Sequence, residues 1–339
     1  MTPGAERARA LVLGVAGQDG VYLAAALRRR GYSVFGMVQT DPDPALATWL
    51  SQTQLVIGDL QDADSVTAAL ATADPDVVIN LAALSSVAAS WADPESSAAV
   101  NAFGVLTVLE RIRRRQDDVG RQIRFIQASS AEIFGNPTEV PQCETTPIAP
   151  RNPYGAAKAF AHEMTGMYRS ALGVHASSLV LFNHESPLRP ESFVTRKITK
   201  AAARIATTGG SPLVLGNLEA SRDWGFAGDY VEAMALALEC ETPGDYVVAS
   251  GSQHTVRDFA VRALSRAGIE DWQRWVQTDE SFMRPTDAAV LLGDSTKAKL
   301  DLGWLTKVSF EELVDGMVDV DLDLARGLPM SNALLPTLE

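Results

Sequence analysis

Six apolar runs of four to seven residues punctuate the first half of this chain, with amphipathic stretches between them. Ala10–Gly14, Ser33–Val38, Gln54–Ile57, Val77–Leu81, Ile123–Ala128 and Ala176–Phe182 are rich in Val, Ile and Leu and too short for independent helices. Runs of this kind suit a parallel sheet covered by helices on both faces. Their spacing predicts β-α-β alternation with right-handed crossovers, a doubly wound α/β fold. After about residue 183 the rhythm changes. Helices at Ser192–Ala206, Asp229–Glu239 and Thr255–Ala267, with strands at Leu213–Leu215 and Tyr246–Ser250, predict a smaller α/β unit interleaved with the first.

The 339 residues, 46% hydrophobic and 21% charged, suffice for one large domain or two intimate ones. A formal net charge of −13 excludes a general binder of nucleic acid or anionic membranes. Residues 41–76 hold seven acids and no base, and residues 311–339 seven acids and one base, so these two segments carry the whole imbalance. Residues 186–225 hold six Lys or Arg against three acids, a local excess suited to a small anion. Cys143 and Cys240 are far apart, without a CxxC, and His162, His175, His184 and His254 are scattered. They read as reduced thiols and ordinary histidines, with no metal site. Arg7 and Arg9 precede an apolar run that breaks at Gly17, so no signal peptide is expected. No stretch approaches the roughly 20 apolar residues of a membrane span. The expectation is a soluble, cytoplasmic protein.

The first run leads directly into Gly14-Val15-Ala16-Gly17-Gln18-Asp19-Gly20. Glycines between a strand and a helix let the backbone turn tightly, approach a pyrophosphate and present a helix N-terminus to it, which predicts a dinucleotide-binding Rossmann unit. Asp59 and Leu60, after the third run, are candidates for contact with an adenine ring. Leu81, Ala82 and Ala83, after the fourth, lie where a cofactor backbone would pass. The second run ends at Gln39-Thr40-Asp41. An acid about 20 residues beyond the glycines binds the ribose 2′-OH of NAD, whereas arginine suits the NADP phosphate. By chemistry alone NAD is favoured.

Tyr154-Gly155-Ala156-Ala157-Lys158 is a YxxxK. On a helix the two side chains share a face, so the ammonium is expected to lower the phenol pKa and make Tyr154 a base. Before it come Ser129-Ser130-Ala131-Glu132, at the end of the fifth run, and the Pro-rich segment 136–153, the longest loop candidate. Singly, Ser130 reads as turn chemistry and Glu132 as a solvated charge. In this order, behind a glycine loop, the set points to an active site.

GVAGQDGVYLA (14–24), QASSAEIFG (127–135) and ETTPIAPRNPYGAAK (144–158) carry a wider resemblance, as do LFNHESPLRPESFVTRKIT (181–199), GNLEASRDWG (216–225) and RPTDAAVLLGDSTKA (284–298). From about residue 8 to 320 the chain resembles the extended short-chain dehydrogenase/reductases, and among them the GDP-mannose 4,6-dehydratases. The resemblance implies tightly bound NAD(P) and a nucleotide-diphosphate sugar, GDP-linked. The implied reaction is oxidation at C4, loss of water across C5–C6 and hydride return to C6. Tyr154 would take the C4 hydroxyl proton, and Lys158 would keep Tyr154 ionised and bind the nicotinamide ribose. Glu132 would remove the C5 proton and protonate the departing C6 hydroxyl, while Ser130 bonds the C4 oxygen. His184, Arg189 and Ser85 are implied at the cofactor; Ser85 again, Asn183, Lys197, Gly216, Arg222 and Arg284 at the sugar nucleotide. Arg196, Lys200 and Arg204 read as surface charges.

Three departures shape the expectations. Ser130 stands where the family usually has Thr. Gln39-Thr40 replaces an Arg-Arg that suits NADP and helps pack a tetramer, so NAD and a homodimer built on two helices per subunit are expected, with NADP and a tetramer as the family's alternative. Leu84 and Ser86 replace a Gln and a His beside the sugar and nicotinamide, which leaves the sugar open. The expected division is residues 1–182 plus about 221–252 for the dinucleotide, and 183–220 plus about 253–330 for the sugar nucleotide. Rival readings are a 4-reductase or epimerase on the same scaffold, which has no need of Glu132, and a non-catalytic dinucleotide binder, which could lose any of Ser130, Glu132, Tyr154 and Lys158.

Overall fold

Alternation along the strands divides the core. In β1 (Arg9–Leu13), Ala10 and Val12 enter one hydrophobic cluster while Leu11 and Leu13 enter another, because successive side chains of a strand leave opposite faces. Both clusters are covered by helices, which is why the run is apolar throughout. The computed structural model describes residues 7–279, 290–330 and 332–337.

From β1 the chain builds α1 (Gln18–Arg29), β2 (Ser33–Val38), a single turn α2 (Pro44–Ala47), β3 (Gln54–Ile57), α3 (Ala63–Ala73) and β4 (Val77–Asn80). Helices α4 (Val87–Ala92) and α5 (Pro94–Ala98), a π turn and α6 (Gly104–Val119) lead to β5 (Arg124–Ser130). A 3-10 turn (Ala131–Ile133), α7 (Pro153–Leu172), β6 (Ala176–Leu181), β7 (Asn183–Glu185), α8 (Val194–Thr208) and β8 (Leu213–Leu215) come next. Then follow β9 (Ser221–Phe226), α9 (Ala227–Glu239), β10 (Asp245–Val248), β11 (Gln253–Thr255) and α10 (Val256–Arg266). The last described elements are α11 (Trp272–Trp275), β12 (Val276–Thr278), α12 (Thr296–Leu302) and α13 (Phe310–Ala325).

Seven strands pair in parallel in the order β10-β6-β5-β4-β1-β2-β3. The chain winds outward from β1 to β3, then crosses to β4 and winds the other way. That reversal opens a crevice at the carboxyl ends of β1 and β4, where ligands of open α/β sheets bind. Helices α1 and α9 cover one face; α3, α6 and α7 cover the other. The doubly wound sheet expected from the apolar runs is the observed architecture.

The smaller unit lies at the carboxyl edge. Strands β11, β9 and β7 form one small sheet and β12 with β8 another, while α8, α10 and α13 pack together. Between β9 and β11 the chain returns to the main sheet through α9 and β10, so the two units are interleaved. Helix α10 neutralises part of the acidity of α13: Arg262 pairs with Asp315 and Arg266 with Asp319. Of the other acidic segment, Asp74 pairs with Arg115 and Arg121. The Pro-rich loop has a structural use as well. Glu144 Oε1 accepts the Val247 N–H at 2.7 Å, and Gln142 exchanges backbone bonds with Leu292 and Asp294 across the end of the sheet.

Candidate active site

The floor of the crevice is the turn from β1 into α1. Gly14 has φ +80°, and a Cβ there would lie 2.8 Å from the Ala82 backbone, so the strand ends of β1 and β4 can approach only with glycine. A Cβ on Gly20 would lie 2.4 Å from the Val15 carbonyl oxygen, so α1 could not seat against its own strand. Gly17 caps α1 without any side-chain acceptor, which leaves the positive end of the helix facing the crevice. Gln18 and Asp19 are turned towards β7 and fasten the turn to it. Gln18 Nε2 donates to the His184 carbonyl at 3.2 Å, and its Oε1 accepts from Ser186 Oγ at 2.9 Å. Asp19 Oδ2 lies 2.8 Å from His184 Nε2.

The chemistry-bearing side chains stand at the ends of β5 and α7. Ser130 closes β5 and its Oγ accepts the Glu132 N–H at 3.3 Å, which folds the next residues into the 3-10 turn. Asn152 and Pro153 start α7, and the first two turns of that helix carry the buried side chains of Tyr154 and Lys158 into the same space. Lys158 Nζ donates to the Ala128 carbonyl at 2.9 Å and lies 5.8 Å from the centre of the Tyr154 ring. Burial pushes the Tyr154 phenol up to about 12, although a hydrogen bond from Ser130 works to lower it. Burial also brings the Lys158 ammonium down to about 8, against the pull of Asp19. The expected lowering of the phenol by its lysine is therefore overturned for the protein by itself: two buried groups each suffer desolvation, and the ammonium is aimed at a backbone carbonyl.

Around this cluster runs one cleft of about 870 Å³. It is lined by Gly14, Gly17, Gln18, Asp19, Gly20, Leu81, Ala83 and Ser85 on the glycine-loop side. Ser130, Glu132, Tyr154 and Lys158 line its centre, and Asn183, His184, Arg189, Lys197, Gly216 and Arg222 its far wall. The far wall is built by cations on partners. Arg189 lies 3.2 Å from Glu185 and over the Phe193 ring at 3.6 Å, and Lys197 Nζ donates to the Val214 carbonyl at 2.7 Å. Arg222 is buried on β9 and donates to the Ser221 carbonyl at 2.7 Å. Among the described residues no group of three or more His, Cys, Asp or Glu could hold a metal ion, and no helix is long and apolar enough to cross a membrane.

The cleft gathers a YxxxK pair, a neighbouring carboxylate and a cationic wall at the switch point of the sheet. The chain matches the GDP-mannose 4,6 dehydratase family over residues 11–317. It belongs to that family. It is 47% identical to GDP-mannose 4,6 dehydratase 1 of Arabidopsis thaliana over 331 residues, covering 94% of this chain and 90% of that protein. GDP-mannose 4,6-dehydratase of Sinorhizobium fredii is 40% identical over 353 residues, with 95% of this chain and 99% of that protein covered. Among solved structures, UDP-glucose 4-epimerase of Thermus thermophilus in complex with NAD superposes with a TM-score of 0.81 at 28% identity, over 94% of this chain and 99% of that one.

Several expected site residues of this family member fall outside the cleft. Gln39 and Asp41 are exposed at the end of β2, where Gln39 Nε2 donates to Asp59 Oδ2 at 3.1 Å. Leu60 turns its side chain into the core beneath α6, and Ala82 meets the glycine turn through its backbone. Arg284 lies outside the described residues. Arg196, read as a surface charge, is buried against Asp321 of α13; Lys200 with Glu191 and Arg204 with the Gly209 and Ser211 carbonyls do lie at the surface. Sequence reasoning missed two residues that organise the centre and gave a third, Ser129 of the Ser129-Ser130-Ala131-Glu132 stretch, no role. Asn152 bonds Glu132, Ser90 Oγ accepts the Tyr154 N–H at 3.2 Å, and the Ser129 hydroxyl is buried in the cleft wall without a partner among the described residues. Only Asn152 left a signal: Asn before Pro is a helix start.

Proposed function

We propose that this chain is a sugar-nucleotide 4,6-dehydratase that acts on GDP-mannose with bound NAD(P). One observation carries the reading: Glu132 lines the same cleft as Ser130, Tyr154 and Lys158, so a second acid–base group stands beside the oxidising pair. The cleft suits the dinucleotide. The glycine turn is a cradle that a Cβ would fill, and the α1 N-terminus has no side-chain cap. Gly14, Gly17, His184, Arg189 and Lys158 would hold it. When bound, the nicotinamide supplies the means of taking up a hydride and giving it back.

The residues of the chain handle the protons. Tyr154, ionised once the Lys158 ammonium and an oxidised nicotinamide stand beside it, would take the proton of the C4 hydroxyl, with Ser130 bonded to the same oxygen. A ketone at C4 acidifies the C5 hydrogen, and the Glu132 carboxylate removes that hydrogen as a proton. The electron pair left at C5 forms the C5–C6 double bond as the C6 hydroxyl leaves, taking the proton from Glu132 to depart as water. Such proton transfers contribute typically 10²–10⁴-fold each. Lys197 and Arg222, on the far wall, would bind the diphosphate, which arginine recognises through paired N–H donors.

NAD is the dinucleotide favoured. Gln39 is neutral and tied to a carboxylate, and residues 41–76 carry no base for a 2′-phosphate. Heating the purified protein and identifying the released nucleotide tests this, and NADP would overturn it. A homodimer through α6 and α7 is favoured by exposed Phe103, Phe160, Met167 and Leu172 on that side; a tetramer mass in light scattering would count against it. The activity itself is tested by incubation with GDP-mannose and mass spectrometry, run beside UDP-, CDP- and TDP-sugars. A product lighter by one water is expected, and Glu132→Gln should stop at the oxidised sugar. A product that keeps its C6 hydroxyl would point instead to a reductase or epimerase.

A further inference from the structure

We propose that Asn152 is the positioning residue for Glu132, holding its carboxylate to the first turn of the helix that carries Tyr154 and Lys158; this rests on Glu132 acting as described above. Glu132 sits on a single 3-10 turn and has three side-chain torsions, so its own backbone does little to aim it. Asn152 supplies what the turn lacks. Its Nδ2 donates to Glu132 Oε2 at 2.8 Å while its Oδ1 accepts the Gly155 N–H at 2.7 Å. A backbone N–H can only donate, so the amide oxygen must face Gly155 and the NH₂ must face Glu132. The amide has one orientation, and it is buried, at 7% exposure.

Packing brings the two segments together. A Cβ on Gly155 would lie 2.6 Å from the Glu132 carbonyl oxygen and 3.3 Å from Asn152 Oδ1, so glycine at this position lets the first turn of α7 close on the 3-10 turn. With Oε2 engaged by Asn152, Oε1 is the oxygen left to exchange the proton. One residue thus sets the distance between the group that deprotonates the C4 hydroxyl and the group that deprotonates C5.

Asn152→Asp and Asn152→Ser separate this role from capping, because Asp and Ser cap helices about as well as Asn does. Neither can donate an amide N–H, and Asp sets a second carboxylate against the first. Single turnovers are quenched and the sugar nucleotide is weighed. Asn152→Asp is expected to slow dehydration about 10²-fold, the scale of a misplaced catalytic group. KM should hold, the melting temperature should stay within a few degrees, and a sugar two hydrogens lighter than substrate should accumulate ahead of the dehydrated product. Asn152→Ser should fall between that variant and wild type. Wild-type dehydration in both variants would overturn the proposal. So would loss of oxidation together with dehydration, or failure of both variants to fold, since either would make Asn152 a support for α7 alone. If Glu132→Gln dehydrates at the wild-type rate, the assignment of Glu132 falls and the positioning role with it. If Glu132→Gln stalls after oxidation and the Asn152 variants do not, only the positioning role falls.

Discussion

His184 sets its Nε2 2.8 Å from Asp19 Oδ2 and its Nδ1 2.7 Å from the Phe182 carbonyl oxygen. Both ring nitrogens face oxygens that accept, so the ring is suited to carry both protons. Burial works against the imidazolium, yet Asp19 outweighs it and the His184 pKa is raised. Burial likewise opposes the Asp19 carboxylate, and His184 reverses that, leaving its pKa lowered. The pair fastens the glycine turn to β7, which joins the floor of the cleft to its far wall.

The pair fixes a pH window for stability. A raised histidine pKa gives stability that is complete below the unfolded value of 6.5 and is lost as pH rises through the raised value. A lowered aspartate pKa gives stability that is complete above 3.8 and is lost as pH falls through the lowered value. The gap in melting temperature between wild type and His184→Gln should therefore be widest between those two values and should shrink towards alkaline pH. Thermal scans across the range check this, and a gap independent of pH would mean that the ring is neutral.

Lys158 carries a stability cost that its function requires. Its ammonium is buried with a pKa brought down from 10.5 to about 8, so the folded state disfavours the charge at neutral pH and the cost fades as pH rises from about 8 towards 10.5. Lys158→Met, in protein freed of bound nucleotide, should melt a few degrees higher at pH 7, with the advantage closing above pH 9. Turnover should fall by about 10²-fold or more. A variant that melts lower than wild type at neutral pH would show that the bond to Ala128 outweighs desolvation.

The sheet was legible because its signal is local: each of the six apolar runs is one strand. Gly14, Gly17 and Gly20 were legible for the same reason, since strand, turn and helix are adjacent in sequence. What escaped depends on contacts across the fold. Nothing near Ser90 marks it, because the backbone N–H that it accepts belongs to Tyr154 of α7. The pKa values of Tyr154 and Lys158 depend on desolvation, which the i, i+4 spacing does not record. Residues 186–225 gave the right region for the cationic wall, but their charge could not separate Lys197, which lines the cleft, from Arg196 one residue earlier, which points into α13.

That last difference is measurable. Arg196 is 5% exposed and Asp321 3%, and their ion pair joins α8 to α13 inside the smaller unit. Burial raises the Asp321 pKa against the pull of Arg196, so the pair is held at a desolvation cost. Removing one partner leaves the other charge buried: Asp321→Asn should destabilise the protein by about 3–5 kcal/mol. Replacing both, as Arg196→Met with Asp321→Leu, removes the charge and the cost together and should restore most of that loss or exceed it. Urea midpoints of the single and double variants decide between the two contributions. If Asp321→Asn keeps the wild-type midpoint, water reaches the guanidinium and the packing of α8 on α13 does not depend on the pair.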